Sequence, residues 1–313
     1  MTTVGFIGLG TMGGGMALNI RKAGYDMVVH DLNKDAAGRH IEAGCVWADS
    51  PKEVGAAADV VFTSLPGPPE VEAVAVGPNG LIEGMKPGSA WFDMSTNSPT
   101  LMRRLNAEFA AKGIDVMDSP VSGGPAGANS GKLAIWVGGN RETFDAHKEI
   151  LDAMGDAAAY IGAIGAGSIA KLVHNCAGYA IQTALAEVFT LGVKAGLEPV
   201  PLWEAIRQGA GGRRRTFDGL AGTFMTGEFE PASFQLQLAH KDVRLATELG
   251  RELGVPMRLA NMAYAELTEA VNRGWGKLDS RVSMLLQEER AGVEIRVPKE
   301  EVEAMLKRAE QGG

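Results

Sequence analysis

The chain has 313 residues, 45% of them hydrophobic and 22% charged, with 30 lysines and arginines against 38 aspartates and glutamates for a formal net charge of −8. That length suits two domains with ample apolar material for cores, and the acidic balance argues against a nucleic-acid surface. Two cysteines, Cys45 and Cys176, make neither a disulfide framework nor a zinc site and fit a reducing cytoplasm, and the start MTTVGFIGLG carries no basic leader before its apolar run, so it does not read as a signal peptide.

Val4–Gly8 reads as a short apolar strand and Thr11–Ala23 as a helix, joined by the turn Gly8-Leu9-Gly10-Thr11-Met12-Gly13. This is the GxGxxG pattern. Its first glycine permits a tight turn, its second lets a pyrophosphate approach the backbone, and its third allows close helix–strand packing. The helix start then offers free N–H groups to the phosphates. The next strand, Met27–His30, ends at Asp31, 18 residues beyond Gly13. A carboxylate there can accept both ribose hydroxyls of NAD and repels the extra phosphate of NADP. Lys34, close by, weakens that discrimination, so NADP stays possible. The other reading of Asp31 is a surface acid at a strand end.

Alternation continues with a helix near Lys34–Ala43, strand Asp59–Leu65, a helix after Pro68-Pro69-Glu70, strand Ala90–Asp93, helix Pro99–Lys112 and strand Gly113–Met117. Strands alternating with helices predict a mostly parallel, doubly wound sheet, whose ligands bind beyond the carboxyl ends of strands. Leu65-Pro66 and Ser95-Thr96-Asn97 fall there and are expected at the cofactor. In Asp118-Ser119-Pro120-Val121-Ser122-Gly123-Gly124-Pro125, hydroxyls and glycine N–H groups crowd together, which suits an anion such as a carboxylate or simply a turn needing positive φ. A hairpin with Leu133–Val137 as its first strand is expected next, and the alternation stops at Ile161.

Gly165–Gly196 reads as one long helix, apolar nearly all round and therefore expected to be buried. Gln182, Thr183 and Glu187 interrupt it too often for a membrane span. Lys171 and Asn175 are four apart and share a face. A lysine early in such a helix either snorkels to the surface or serves catalysis beside an orienting amide. Beyond it the chain reads helical, near Val200–Gln208, Leu238–Leu253, Leu259–Arg273 and Ser280–Glu289, with a charged tail helix over Pro298–Glu310.

Four ordered blocks make the sequence similar to the β-hydroxyacid dehydrogenases, of which 3-hydroxyisobutyrate dehydrogenase is the best-known member. They are Gly5–Gly13 with Met16-Ala17 and Asn19; Asp118–Gly124; Gly167 with Lys171 and Asn175; and Lys241-Asp242. The resemblance covers roughly Met1–Arg290. It implies an N-terminal Rossmann domain (1–163), a joining helix (164–195), an all-α substrate and oligomerisation domain (196–292) and a tail (293–313), with the active site in the cleft between domains. It implies Lys171 as general acid/base, Asn175 as a substrate-holding amide, Ser122, Gly123 and Gly124 at the substrate carboxylate, and Lys241 beside nicotinamide and substrate. Gly8 to Gly13, Asp31, Leu65, Pro66 and Thr96 would hold the NAD, without metal.

The expected activity is NAD(P)-dependent interconversion of a small anionic β-hydroxy acid and its semialdehyde or oxo acid, of the 3-hydroxyisobutyrate dehydrogenase or the tartronate or succinic semialdehyde reductase type. The expected assembly is a cytoplasmic homodimer or homotetramer with no membrane or nucleic-acid partner. An imine-reducing relative of the same fold would generally lack the lysine, and a non-catalytic dinucleotide-binding module would have lost it. The shorter α domain disfavours 6-phosphogluconate dehydrogenase. The chain departs from the family at Lys132, where a small hydroxyl residue is expected, and at Pro125 and Ala126. Arg213, Arg214 and Arg215 form either a solvated or inter-subunit face or a reader of a second anionic group.

Overall fold

The computed structural model describes residues 2–197, 202, 205–206, 208–209, 222–237, 239–240, 243, 247, 251, 254–292, 294 and 296–311. The sequence readings at Arg213–Arg215 and Lys241-Asp242, and most of those for the helices near Val200–Gln208 and Leu238–Leu253, lie outside the described residues. The chain divides into two compact units, Met1–Ala177 and Gly178–Gly313. The division falls inside the long helix Ala166–Lys194.

The first unit holds one sheet, built from β1 (Thr3–Ile7), β2 (Asp26–His30), β3 (Val46–Trp47), β4 (Val60–Thr63), β5 (Ala90–Asp93), β6 (Asp115–Asp118), β7 (Val121–Ser122), β8 (Ala134–Gly138) and β9 (Ala157–Gly162). Its order is β3-β2-β1-β4-β5-β6-β8-β7, with β9 on β8. The pairs from β3 through β6 are parallel. The chain order therefore reverses between β1 and β4, and helices cover both faces. The strands are apolar on both sides because both sides are buried. Phe6, Phe62 and Phe92 are in register across three strands, with ring centroids 6.4 and 5.1 Å apart, in the core of one face. Ile7, Val61, Trp91 and Val116, one residue along each strand, fill the other.

Two expectations are corrected. No hairpin starts at β8, because β8 and β9 run parallel. The helices Arg141–Ala146 and Lys148–Asp152 between them supply the crossover that parallel neighbours require. The long helix is also not buried all round: Ile169, Leu172 and Val173 stand 44%, 43% and 60% exposed. Its first turns are covered on the side of Gly167, where the strands lie.

The second unit is helical over its described elements, among them Arg258–Ala270, Leu285–Ala291 and Lys299–Gln311. Its core gathers Phe224, Phe229, Leu236, Ala270, Val282 and Leu286. Among the described residues no helix is long and apolar enough to cross a membrane.

Candidate functional site

The glycine turn sits where β1 gives way to the helix Gly13–Lys22. A Cβ on Gly13 would collide with the Gly8 carbonyl, so only glycine lets the helix start this close to the strand. A Cβ on Gly10 would meet no protein atom within 4 Å, so the space above the turn is open to a ligand. No side chain caps the helix, which leaves its first N–H groups for an anion.

Asp31, just past β2, accepts the Leu9 N–H at 2.6 Å and the Asn33 N–H at 2.8 Å, one on each carboxylate oxygen. Each oxygen keeps a lone pair for a further donor such as a ribose hydroxyl. The Leu9 side chain itself is buried in the core, so Leu9 contributes through its backbone. Lys34 turns elsewhere. Its ammonium lies 3.9 Å from Asp49 and 5.1 Å from the Trp47 ring centre.

A cavity of about 720 Å³ opens over this turn. Gly8, Gly10, Thr11, Met12, Gly13, Asp31, Leu65 and Pro66 line it, together with Leu32, Pro51, Glu70, Ala73, Val74 and Pro78, which the sequence did not single out. Leu32 is 98% exposed directly after Asp31, an apolar side chain that no core accounts for. That was the one legible signal among them. Among the described residues, the walls carry two carboxylates, Asp31 and Glu70, and no lysine or arginine.

The loops after β4 and β5 are tied together beneath this cavity. Asp93 is fully buried and in register with Thr63. Its Oδ1 accepts the Thr63 hydroxyl at 2.9 Å, the Ser95 hydroxyl at 2.6 Å and the Ser95 N–H at 3.2 Å, and its Oδ2 accepts the Asn97 amide at 2.9 Å. Ser95 Oγ in turn accepts the Leu65 N–H at 2.9 Å. Burial pushes the Asp93 carboxyl above the usual carboxylate range, and the hydrogen bonds from Ser95, Asn97 and Thr63 oppose that rise. Thr96 stands exposed between buried Ser95 and Asn97 and does not line the cavity.

The second group of predicted residues lies farther along the sheet. Ser122 on β7 pairs with Ala134 of β8, and the chain turns through Gly123 and Gly124 with φ of 135° and 61°. Pro125 sits in the first turn of the helix Gly124–Ser130, where its missing N–H costs nothing. Lys132 is exposed, its N–H donating to Gly127.

Asp118, at the end of β6, caps the long helix from outside it. Its carboxylate accepts the Gly165 N–H at 2.7 Å and the Ser168 N–H at 2.6 Å. Burial raises its carboxyl, and these two backbone bonds oppose the rise. Gly167 lets the same turn press onto the strands, since a Cβ there would lie 2.5 Å from the Asp118 carbonyl and 3.2 Å from Pro120 Cδ. Lys171 and Asn175 follow Gly167 on that face at four-residue steps. The Trp136 ring of β8 lies 5.1 Å from that of His174, and the Trp136 N–H donates to Pro120 at 3.1 Å. These contacts seat the turn bearing Lys171 and Asn175 on the strands that carry Ser122. Lys171 is half-buried, and burial holds its ammonium below the ordinary lysine range. Lys241 lies outside the described residues.

Comparison with known proteins agrees with this fold. The family model for the NAD binding domain of 6-phosphogluconate dehydrogenase matches residues 3–162. The model described as NAD-binding of NADP-dependent 3-hydroxyisobutyrate dehydrogenase matches residues 165–286. The 2-(hydroxymethyl)glutarate dehydrogenase of Eubacterium barkeri is 35% identical over 292 residues, 93% of this chain and 97% of that protein. The solved structure of Mycobacterium tuberculosis 3-hydroxyisobutyrate dehydrogenase with L-serine is 31% identical, covers 91% of this chain and 99% of its own, and superposes with a TM-score of 0.64. An imine reductase from Myxococcus stipitatus in complex with NAD+ superposes at 0.76 over 91% of this chain and 98% of its own, but at 19% identity that likeness shows the fold alone. With models matched on both sides of residue 163 and relatives similar over almost their full length, the chain belongs to the β-hydroxyacid dehydrogenase family and is an NAD(P)-dependent oxidoreductase.

Proposed function

We propose that the protein oxidises a small anionic β-hydroxy acid to its semialdehyde or oxo acid, and reduces it in reverse, with NAD preferred over NADP. The observation that carries this reading is the half-buried Lys171, on the helix face that Gly167 seats against the Asp118–Ser122 segment. Nicotinamide, when bound, supplies the hydride acceptor. Lys171, as the neutral amine, takes the proton of the substrate hydroxyl while the carbon gives up its hydride. In reduction its ammonium returns that proton to the carbonyl oxygen. Asn175 donates to the substrate without adding a charge that would disturb the lysine. Ser122 and the N–H groups of Gly123 and Gly124 hold the carboxylate.

The sign of the pH dependence follows. Oxidation needs neutral Lys171, so its kcat/KM should rise with pH through the lysine pKa, and reduction should fall through the same value. Burial lowers that value, so both inflections should lie below the ordinary lysine range. Initial rates in both directions across pH test this. Inflections in the ordinary lysine range would mean that burial leaves Lys171 unshifted, and ones that persist in Lys171→Ala would remove the lysine from the reaction.

NAD preference rests on the cavity wall, which among the described residues carries two carboxylates and no lysine or arginine, and on Lys34 turned to Trp47 and Asp49. Asp31→Ser should bring the dissociation constants of NADH and NADPH, measured by fluorescence, within about tenfold of each other, as expected for removing one like-charge contact. A wild type that binds NADPH as tightly as NADH contradicts the assignment. The homodimer or homotetramer and the cytoplasmic location belong to the same proposal. The apolar side chains that the long helix leaves exposed support the first, and the composition supports the second.

A further inference from the structure

His174 follows Lys171 by three residues, so the two share a helix face, and no role for His174 is legible in the sequence. Its ring lies 5.1 Å from that of Trp136, tilted by 52°. Trp136 is fixed in turn by the β8–β9 pairing and by its N–H bond to Pro120. From this position His174 Nδ1 lies 3.1 Å from Asn175 Oδ1. An amide oxygen only accepts, so Nδ1 carries the proton and the imidazole donates.

We propose that His174 is a positioning residue that sets the orientation of the Asn175 amide, with Trp136 holding the imidazole. Occupying Oδ1 leaves the Asn175 NH2 group as the face available to a substrate. It also polarises the amide, which strengthens those N–H donors. Such a donor suits an oxygen that gains negative charge as its proton leaves for Lys171. Without the imidazole the amide is free to turn and to present its oxygen, which repels a developing alkoxide. The inference rests on the assignment of Asn175 to the substrate made above.

The test is a double-mutant cycle on kcat/KM for the hydroxy acid at saturating NAD. His174→Phe keeps a ring against Trp136 and removes the donor. It should lower kcat/KM about five- to tenfold, the scale of one oriented hydrogen bond. NADH dissociation and melting temperature should stay at wild-type values. Adding His174→Phe to Asn175→Ala should change nothing further, because the amide it acts through is gone. His174→Gln, whose side-chain N–H can reach the same oxygen, should recover part of the loss. Multiplicative losses in the double variant, or a wild-type kcat/KM for His174→Phe while Asn175→Ala is impaired, overturn the proposal alone. A wild-type Asn175→Ala overturns the Asn175 assignment, and this inference with it.

Discussion

Replacing Lys171 by alanine should lower kcat by roughly two to four orders of magnitude, the range for loss of a general acid/base. NAD binding should survive, because the described residues lining the cofactor cavity run from Ile7 to Pro78, and none of these lies on the long helix. Lys171→Arg should be nearly as impaired, since a guanidinium stays protonated and cannot accept the hydroxyl proton. Single-turnover rates with NADH titrations in parallel separate chemistry from binding. Near-normal turnover in Lys171→Ala would return this side chain to the surface role its amphipathic stem also allows.

The second large effect is on stability. Asp93→Ala strips an acceptor from the Thr63 hydroxyl, the Ser95 hydroxyl and N–H, and the Asn97 amide at once, in a site closed to water. Each stranded buried donor costs about 1–3 kcal/mol, and partial relaxation should leave a total loss of about 3–5 kcal/mol. The same change frees Ser95, which holds the Leu65 N–H at the cavity wall, so NADH affinity should fall as well. Urea unfolding and NADH titration measure the two effects. A loss under about 1 kcal/mol would mean that water or side-chain rearrangement replaces the carboxylate.

What the sequence made legible was mostly local. The glycine turn, Asp31 and most of the strand–helix alternation are each written within a few residues, and the observed sheet has them there, with β3 and the helix Pro51–Ala57 added before β4. The shared face of Gly167, Lys171 and Asn175 follows from helical periodicity alone. What failed or stayed hidden depends on pairing across distance. The hairpin reading at β8 missed that a crossover returns the chain parallel to it. The Asp93 network needs the Thr63–Asp93 register, which no local pattern encodes. Glu70, Val74 and Pro78 reach the cavity only because the sheet order places β4 beside β1. Asp118 could be quoted from its block, but its bonds to Gly165 and Ser168 appear only once β6 and the long helix meet. A helix read as buried all round leaves Val173 exposed, because composition does not say which sides the strands cover.

The most direct measurement is a substrate panel with purified enzyme, following NADH formation from 3-hydroxy and 2-hydroxy acids, its consumption by the matching semialdehydes and by cyclic imines, and repeating each assay with NADP. Turnover of at least one small 3-hydroxy acid and its semialdehyde is expected, faster with NAD than with NADP, and none of the imines. Imine reduction without any hydroxy-acid or semialdehyde turnover would contradict it.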